Sequence, residues 1–264
     1  MRSIRIGRGA ALALLAAALA PAAAQAQAPL AVEYDAFVAG FPAVTFDFRI
    51  HLDDTTYRVT GGARTNGLAD VLMHYRLRTE SDGRVLGSGL MPALHETRSD
   101  GRWRLRTTHL VFDGNGVHAE VTPPVDRPLE ASLLTGSLDP LTAVLAAGRR
   151  LAAQGRCDQR VKVFDGRRRF DLDFADAGDE ELQPTFGIFG GIARRCVLHL
   201  RKITGFEEEN KKPGTPAEVW FASVATGTAP IPVRLDFNSQ WGSATIRLTS
   251  VKPAEASPPP PATR

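Results

Sequence analysis

The sequence is poor in sulfur and, past its first residues, has no net charge. It holds two cysteines and three methionines among 264 residues. Two thiols cannot fill a structural zinc site alone, and the Cys-x-x-Cys spacing of a redox pair is absent. The formal charge of +3 lies entirely in Arg2, Arg5 and Arg8, because residues 1–28 contain no Asp or Glu. Beyond them, 29 basic residues face 29 acidic ones. A neutral chain lacks the basic footprint of a nucleic-acid binder, so no nucleic-acid partner is expected. No later run reaches the ~18 apolar residues that a membrane-spanning helix needs.

What is present is a core. Hydrophobic types make up 43% and charged types 23%, which excludes wholesale disorder and a fibrous repeat. The length suits one large β domain or two small ones. Eighteen prolines and 24 glycines suit a chain with many turns.

The first segment reads as an address. The three arginines precede an unbroken apolar stretch from Ala10 to Ala20, ended by Pro21 and followed by small residues. That is the order of a secretory signal peptide. Small-x-small sites end at Ala26 and Ala28; cutting at Ala28 would leave Pro29 first, so residues 1–26 are assigned to the leader. No Arg-Arg pair precedes the apolar run and no cysteine lies near the cleavage site, which points to the general secretory route and away from a lipoprotein. The expected location is periplasmic or secreted. Cys157 and Cys196 then sit in an oxidising compartment, and a single structural disulfide between them is expected.

From residue 32 onward, apolar and polar residues alternate. Val44 to Ile50, Tyr57 to Thr60, Tyr75 to Arg78, Trp103 to Arg106, Phe170 to Phe174, Ile231 to Phe237 and Ala244 to Leu248 all show the period of two. This pattern means antiparallel sheet with one wet face. Asp82-Gly83, Asp100-Gly101, Asp113 to Gly116 and Asp165-Gly166 read as turns, the last as a type I′ hairpin. The fold class is therefore all-β, mainly antiparallel: a sandwich, an open barrel or a strongly curved sheet. One segment differs. Asp139-Pro140 supplies an N-cap and first-turn proline, Leu141, Val144, Leu145 and Leu151 recur at helical spacing, and Gly155 supplies a stop. A helix is expected from about 139 to 154, and a shorter one near Leu68 to Met73. Residues 176–195 read as a glycine-rich loop. Residues 29–252 form a single β-rich domain, and the proline-rich tail from 253 to 264 is expected to be disordered. Whether the strand sets form one sheet or two lobes stays open at this level.

Several elements in order carry a resemblance. They are Val32-Glu33-Tyr34, Ala39-Gly40, Thr65-Asn66-Gly67-Leu68, Gly89-Leu90-Met91-Pro92 and Leu138-Asp139-Pro140-Leu141. Val163 to Arg168, the two cysteines, Gly205-Phe206 and Val219-Trp220 follow. The chain resembles the exported bacterial proteins carrying the domain of unknown function numbered 3108, from about residue 30 to 250. The resemblance implies an envelope protein with a largely antiparallel β fold and carries over no catalytic residue.

Chemical motifs are scarce. The six histidines form neither His-x-His nor His-Glu-x-x-His, so no metal site is assigned; His109 and His118 flank one turn without an evident third ligand. No Gly-x-Ser-x-Gly elbow occurs, and Gly87-Ser88-Gly89 reads as a bulge or bend. Asp171 and Asp173 read as charge partners on a wet face, and Asp176, Asp179, Glu180 and Glu181 as a solvated acidic loop. Arg76, Arg78, Arg102, Arg104 and Arg106 alternate on neighbouring strands as a candidate stripe, or as a wet face paired with nearby carboxylates. No catalytic residue and no cofactor are assigned. The expected role is non-enzymatic, with a lipid-like ligand or an envelope protein as partner. Phe46, Phe48, Trp103 and Phe170 point to inner faces, where they either fill a core or line a ligand cavity. A head group would then meet Arg104 or Arg106 at the rim. The rival readings are an assembly factor without a pocket, and an envelope hydrolase marked by His, Asp and Ser converging in a cleft.

Overall fold

The computed structural model describes residues 29–254, except 103, 114–115, 126–127, 186, 208–213 and 240. The leader, most of the tail and Trp103 therefore lie outside the described residues. The early strands are β1 (Leu30–Val38), β2 (Phe41–Leu52), β3 (Thr56–Thr65), β4 (Tyr75–Leu86), β5 (Gly89–Gly101), β6 (Arg104–Asp113) and β7 (Gly116–Thr122). Helix α1 (Gly67–Met73) joins β3 to β4, and α2 (Ala131–Leu134) and α3 (Pro140–Gln154) follow β7. The later strands are β8 (Gln159–Phe164), β9 (Arg169–Leu182), β10 (Gly191–Thr204), β11 (Ala217–Ala222), β12 (Ile231–Ser239) and β13 (Gly242–Pro253).

All thirteen strands form one antiparallel sheet in the order β7-β6-β5-β4-β3-β2-β1-β13-β12-β11-β10-β9-β8. The first strand pairs with the last, Leu30 against Pro253 and Val38 against Ala244. That central ladder zips the early and late sets into a single curved sheet. Among the described residues no ladder joins the edge strands β7 and β8, so the barrel stays unclosed. The two edges nevertheless approach. Gly166 (φ +90°) lies where a Cβ would come within 2.5 Å of the Thr108 side chain on β6 and 3.1 Å of Val121 on β7. Leu110, Leu134 and Phe164 pack across the same seam.

Helix α3 forms where its caps and spacing predict. The Asp139 carboxylate accepts from the backbone N–H groups of Leu141 and Thr142, Pro140 opens the first turn, and Gly155 closes the helix at φ 69°. The helix lies in the concavity. Leu145 packs against Tyr57, Val59 and Val85, while Ala143, Ala147 and Leu151 pack against Val161, Val163, Phe174 and Phe221. Leu145 and Leu151 are buried as expected, but Val144 is 43% exposed. Small residues replace it in the tightest contacts: a Cβ on Gly148 would stand 1.9 Å from the Pro230 carbonyl oxygen. Arg149 donates to the Gly87 carbonyl (2.7 Å), so α3 closes the end of the sheet that carries the β2–β3 and β4–β5 turns.

Several local expectations change. Asp82-Gly83 is not a turn but part of β4, at a register shift where the absent Cβ admits the Met91 carbonyl. Gly87-Ser88 is a two-residue hairpin turn rather than a bulge, since Leu86 pairs with Gly89. The Asp165–Arg168 turn is four residues long and has positive φ at Gly166 alone, so it is not type I′. Asp165 fixes it by accepting from the N–H groups of Arg167 (2.9 Å) and Arg168 (2.6 Å). The supposed loop 176–195 is mostly strand, because β9 runs to Leu182 and β10 starts at Gly191. Asp176 and Asp179 both pair with Arg194 across that ladder, which holds the acidic segment extended. Cys157 and Cys196 are disulfide-bonded with a Cα–Cα distance of 5.9 Å, tying the segment before β8 to the middle of β10.

Candidate functional site

Register brings the apolar residues of the central strands to one concave wall. Phe48 lies between Val32 and Gly61, and Phe46 between Tyr34 and Ala63. The two phenyl rings stack with centroids 6.5 Å apart, and Tyr34 meets Phe48 edge-on at 6.2 Å. Between this wall and α3 lies a cavity of about 260 Å³. Phe46, Phe48, Val59, Leu141, Val144 and Ile246 are among its lining residues. Burial pushes the Tyr34 phenol pKa up. The neutral hydroxyl donates to the Pro232 carbonyl (2.9 Å), so it presents no open hydrogen-bonding group to the cavity. Val144 is exposed because it faces this space instead of the sheet.

The predicted site residues separate in three dimensions. Phe46 and Phe48 line the cavity. Phe170 also turns to the concave side, but it packs beside the α3–β8 cluster and edge-on to Phe206, away from the cavity. The five arginines do not make one stripe. Arg106 shares the face of Ser99 and Leu77, which is concave, and so does Arg104. Arg76 and Arg78 lie on the opposite face, in an outer groove of about 800 Å³ that also holds Arg49, Arg64 and Arg98. Period-two alternation places residues on alternate faces without revealing which face of the next strand they join; only register settles that.

Near Arg104 and Arg106 stands Arg167, whose side chain donates to the Pro123 carbonyl (2.6 Å). Burial lowers the Arg167 pKa, and the nearby charges of Arg106, Arg104 and Arg168 lower it further, with Asp165 opposing. The arginines thus gather at the end of the concavity opposite α3, where the β5–β6 and β8–β9 turns lie.

Ser81, His95 and Asp139 do converge. Ser81 Oγ donates to Asp139 Oδ1 (2.6 Å) and lies 2.8 Å from His95 Nδ1, while His95 Nε2 lies 3.0 Å from Thr97 Oγ1. The order is wrong for nucleophilic catalysis, because the hydroxyl sits between imidazole and carboxylate instead of at the end of the relay. The three are also buried: His95 is 3% exposed, Ser81 and Asp139 fully enclosed. No substrate reaches this cluster; it anchors α3 to β4 and β5. These residues lie 14 and 58 positions apart, so no sequence motif announces them.

Burial lowers the His95 pKa below its ordinary value near 6.5, against the opposing pull of Asp139. A depressed folded value means that the unfolded chain binds the proton first. The stability that neutral His95 contributes is complete above about pH 6.5 and declines as pH falls toward the lowered folded value. Denaturant midpoints measured from pH 8 to 5 are expected to fall in the wild type. The slope should flatten in His95→Gln.

The two carboxylates of β9 are charge partners as expected, but only one of them is wet. Asp173 pairs with Arg160 at the surface, but Asp171 is only 1% exposed. It accepts from Arg169 (2.6 Å), itself 4% exposed, and from Arg201 (2.6 Å). Burial raises the Asp171 pKa, yet the two arginine hydrogen bonds outweigh it and hold the carboxyl below its usual range. His109 pairs with Glu96 and His118 with Asp113 rather than with each other.

A curled antiparallel sheet closed at one end by a helix, with an apolar cavity on its concave side, defines a barrel-like β protein. The chain belongs to the DUF3108 family of proteins of unknown function, whose model matches residues 33–249. Its fold is similar to the crystal structure of a β-barrel-like protein of the domain of unknown function DUF1849 from Brucella abortus. The match has a TM-score of 0.54 at 10% identity and covers 87% of this chain and 99% of that one. No curated protein matches the sequence.

Proposed function

We propose that this is a non-enzymatic protein of the cell envelope that takes the apolar part of a lipid-like or amphiphilic molecule into its concave interior. The observation that carries the reading is the cavity between the Phe46–Phe48 wall and α3. Its walls are aromatic and aliphatic apart from Arg234, which is paired with Asp236 and stacked on Trp220, and the one phenol among them is already bonded to backbone. Such a surface favours alkyl groups, each buried methylene contributing about 0.8 kcal/mol before the costs of association. The leader-like order of residues 1–28 supports an envelope setting. Ser81, His95 and Asp139 lend the hydrolase reading no support, since they are sealed in the core.

Val144 offers the test, because it faces the cavity without filling a core contact. In Val144→Trp the indole occupies the space a ligand would use. Binding of an apolar fluorophore such as N-phenylnaphthylamine is expected to weaken about tenfold, equivalent to ~1.4 kcal/mol, with the melting temperature nearly unchanged. Unchanged probe affinity in a folded Val144→Trp protein would remove the cavity from the account.

A further inference from the structure

The open end of the sheet carries an unusual run of exposed apolar side chains. Helix α1 buries none of its residues: Leu68 is 77% exposed, Val71 69% and Leu72 69%. Phe41, beside the β1–β2 turn, is 71% exposed, and Trp241, in the β12–β13 turn, 62%. Scattered exposed apolar residues need no explanation, but contiguous ones mark an interaction surface.

Contiguity follows from the strand order and from three sets of hydrogen bonds. β12, β13, β1, β2, β3 and β4 are successive neighbours, so their connections at this end stand side by side. The Ala39 N–H donates to the Ser243 carbonyl (2.8 Å), joining the Phe41 and Trp241 turns. The Asn66 N–H donates to the Ala43 carbonyl (2.9 Å), joining α1 to the start of β2. Arg102 donates to the Val71 and Leu72 carbonyls at 3.1 and 3.2 Å, joining the β5–β6 turn to the end of α1. Arg104 and Arg106 follow directly, and Arg167 and Arg168 stand beside them in the β8–β9 turn. Asp165, in the same turn as Arg167 and Arg168, is already engaged by two backbone N–H groups.

We infer that this rim, with α1, Phe41 and Trp241 as its apolar edge and Arg104, Arg106, Arg167 and Arg168 as its cationic edge, docks the protein on the surface of an anionic phospholipid bilayer. The chemistry of each edge selects that partner. Aliphatic and aromatic side chains on a short helix and hairpin tips enter the boundary between headgroups and acyl chains. Arginines that form no ion pair among the described residues meet phosphate at the level of the headgroups. A soluble protein partner would supply carboxylates and a shaped apolar pocket; a bilayer supplies a laterally adaptable layer that accepts protrusions from five separate connections. Docking by this rim turns the open end of the concavity toward the lipid and leaves the α3 end facing away. The inference does not depend on the cavity being occupied.

Vesicle flotation of the mature protein tests it, with phosphatidylcholine vesicles and with vesicles containing 30% phosphatidylglycerol. The protein should float with the anionic vesicles, stay largely in the lower fractions with the neutral ones, and be released by salt. Arg104→Gln with Arg106→Gln should reduce partitioning about 30-fold, the effect of two basic residues at an anionic surface. Leu68→Glu with Leu72→Glu changes exposed side chains only, so it should keep the fold while abolishing flotation. Both double variants should still bind the apolar fluorophore, which separates failure of docking from failure of the cavity reading. No flotation by the wild type, equal flotation on both vesicle types, or release by millimolar inorganic phosphate without added salt would each overturn the docking surface.

Discussion

Asp171→Ala is expected to destabilise the protein by about 3–5 kcal/mol, the usual cost of removing one partner from a buried ion pair. The loss is not that of a surface salt bridge. Asp171 is 1% exposed and Arg169 4%, so the substitution strands a guanidinium that keeps only its bonds to the Leu133 and Phe170 carbonyls. Arg201 loses its partner too, but it is exposed enough for water to replace the carboxylate. Asp171→Asn retains one acceptor oxygen and should cost less. Arg169→Met combined with Asp171→Leu removes both charges and should recover much of the loss, because apolar replacement of a buried pair is often neutral. Urea denaturation of the four proteins distinguishes these outcomes; equal, small losses in all of them would show that the pair contributes little. The pH dependence follows the same sign. The folded Asp171 pKa lies below the unfolded value, so its contribution is complete above about pH 4 and disappears as pH falls through the lowered folded value.

Loss of the Cys157–Cys196 bond is expected to cost about 4 kcal/mol, from the entropy of closing a loop of about 40 residues in the unfolded chain. For a domain of this size that is roughly 8–16 °C in melting temperature. The sheet should survive, since β8, which follows Cys157, is already linked to β10 through its ladder with β9. A Cys157→Ser, Cys196→Ser protein with an unchanged melting temperature would contradict this.

Much of the architecture is legible in the sequence because it is local. The period of two specifies strands, and Asp139-Pro140 with Gly155 specifies both ends of α3, through hydrogen bonds that span two to four residues. Two cysteines in an expected oxidising compartment leave one intrachain pairing. What is not legible depends on register and on contacts across the sheet. Asp82-Gly83 has turn chemistry, yet the missing Cβ is used to let β5 approach. Asp176 to Leu182 looks like a loop until Arg194 is placed opposite it. Arg78 and Arg106 share an alternating pattern but stand on opposite faces of the sheet. Phe48 and Phe170 are both concave-facing aromatics, and only the position of α3 decides that one borders space and the other joins a packed cluster. The Ser81–His95–Asp139 contact needs three elements to meet, so its recognition as an anchor for α3 had to wait for the fold.

The central claim, that the concave interior receives an apolar chain, is tested most directly by native mass spectrometry of the protein isolated from its own cell envelope without detergent. The account predicts an added mass in near-stoichiometric amount that organic extraction releases as an amphiphile and that is absent from the Val144→Trp protein. A spectrum showing only the bare polypeptide, from material that binds no amphiphile when one is supplied, would contradict it.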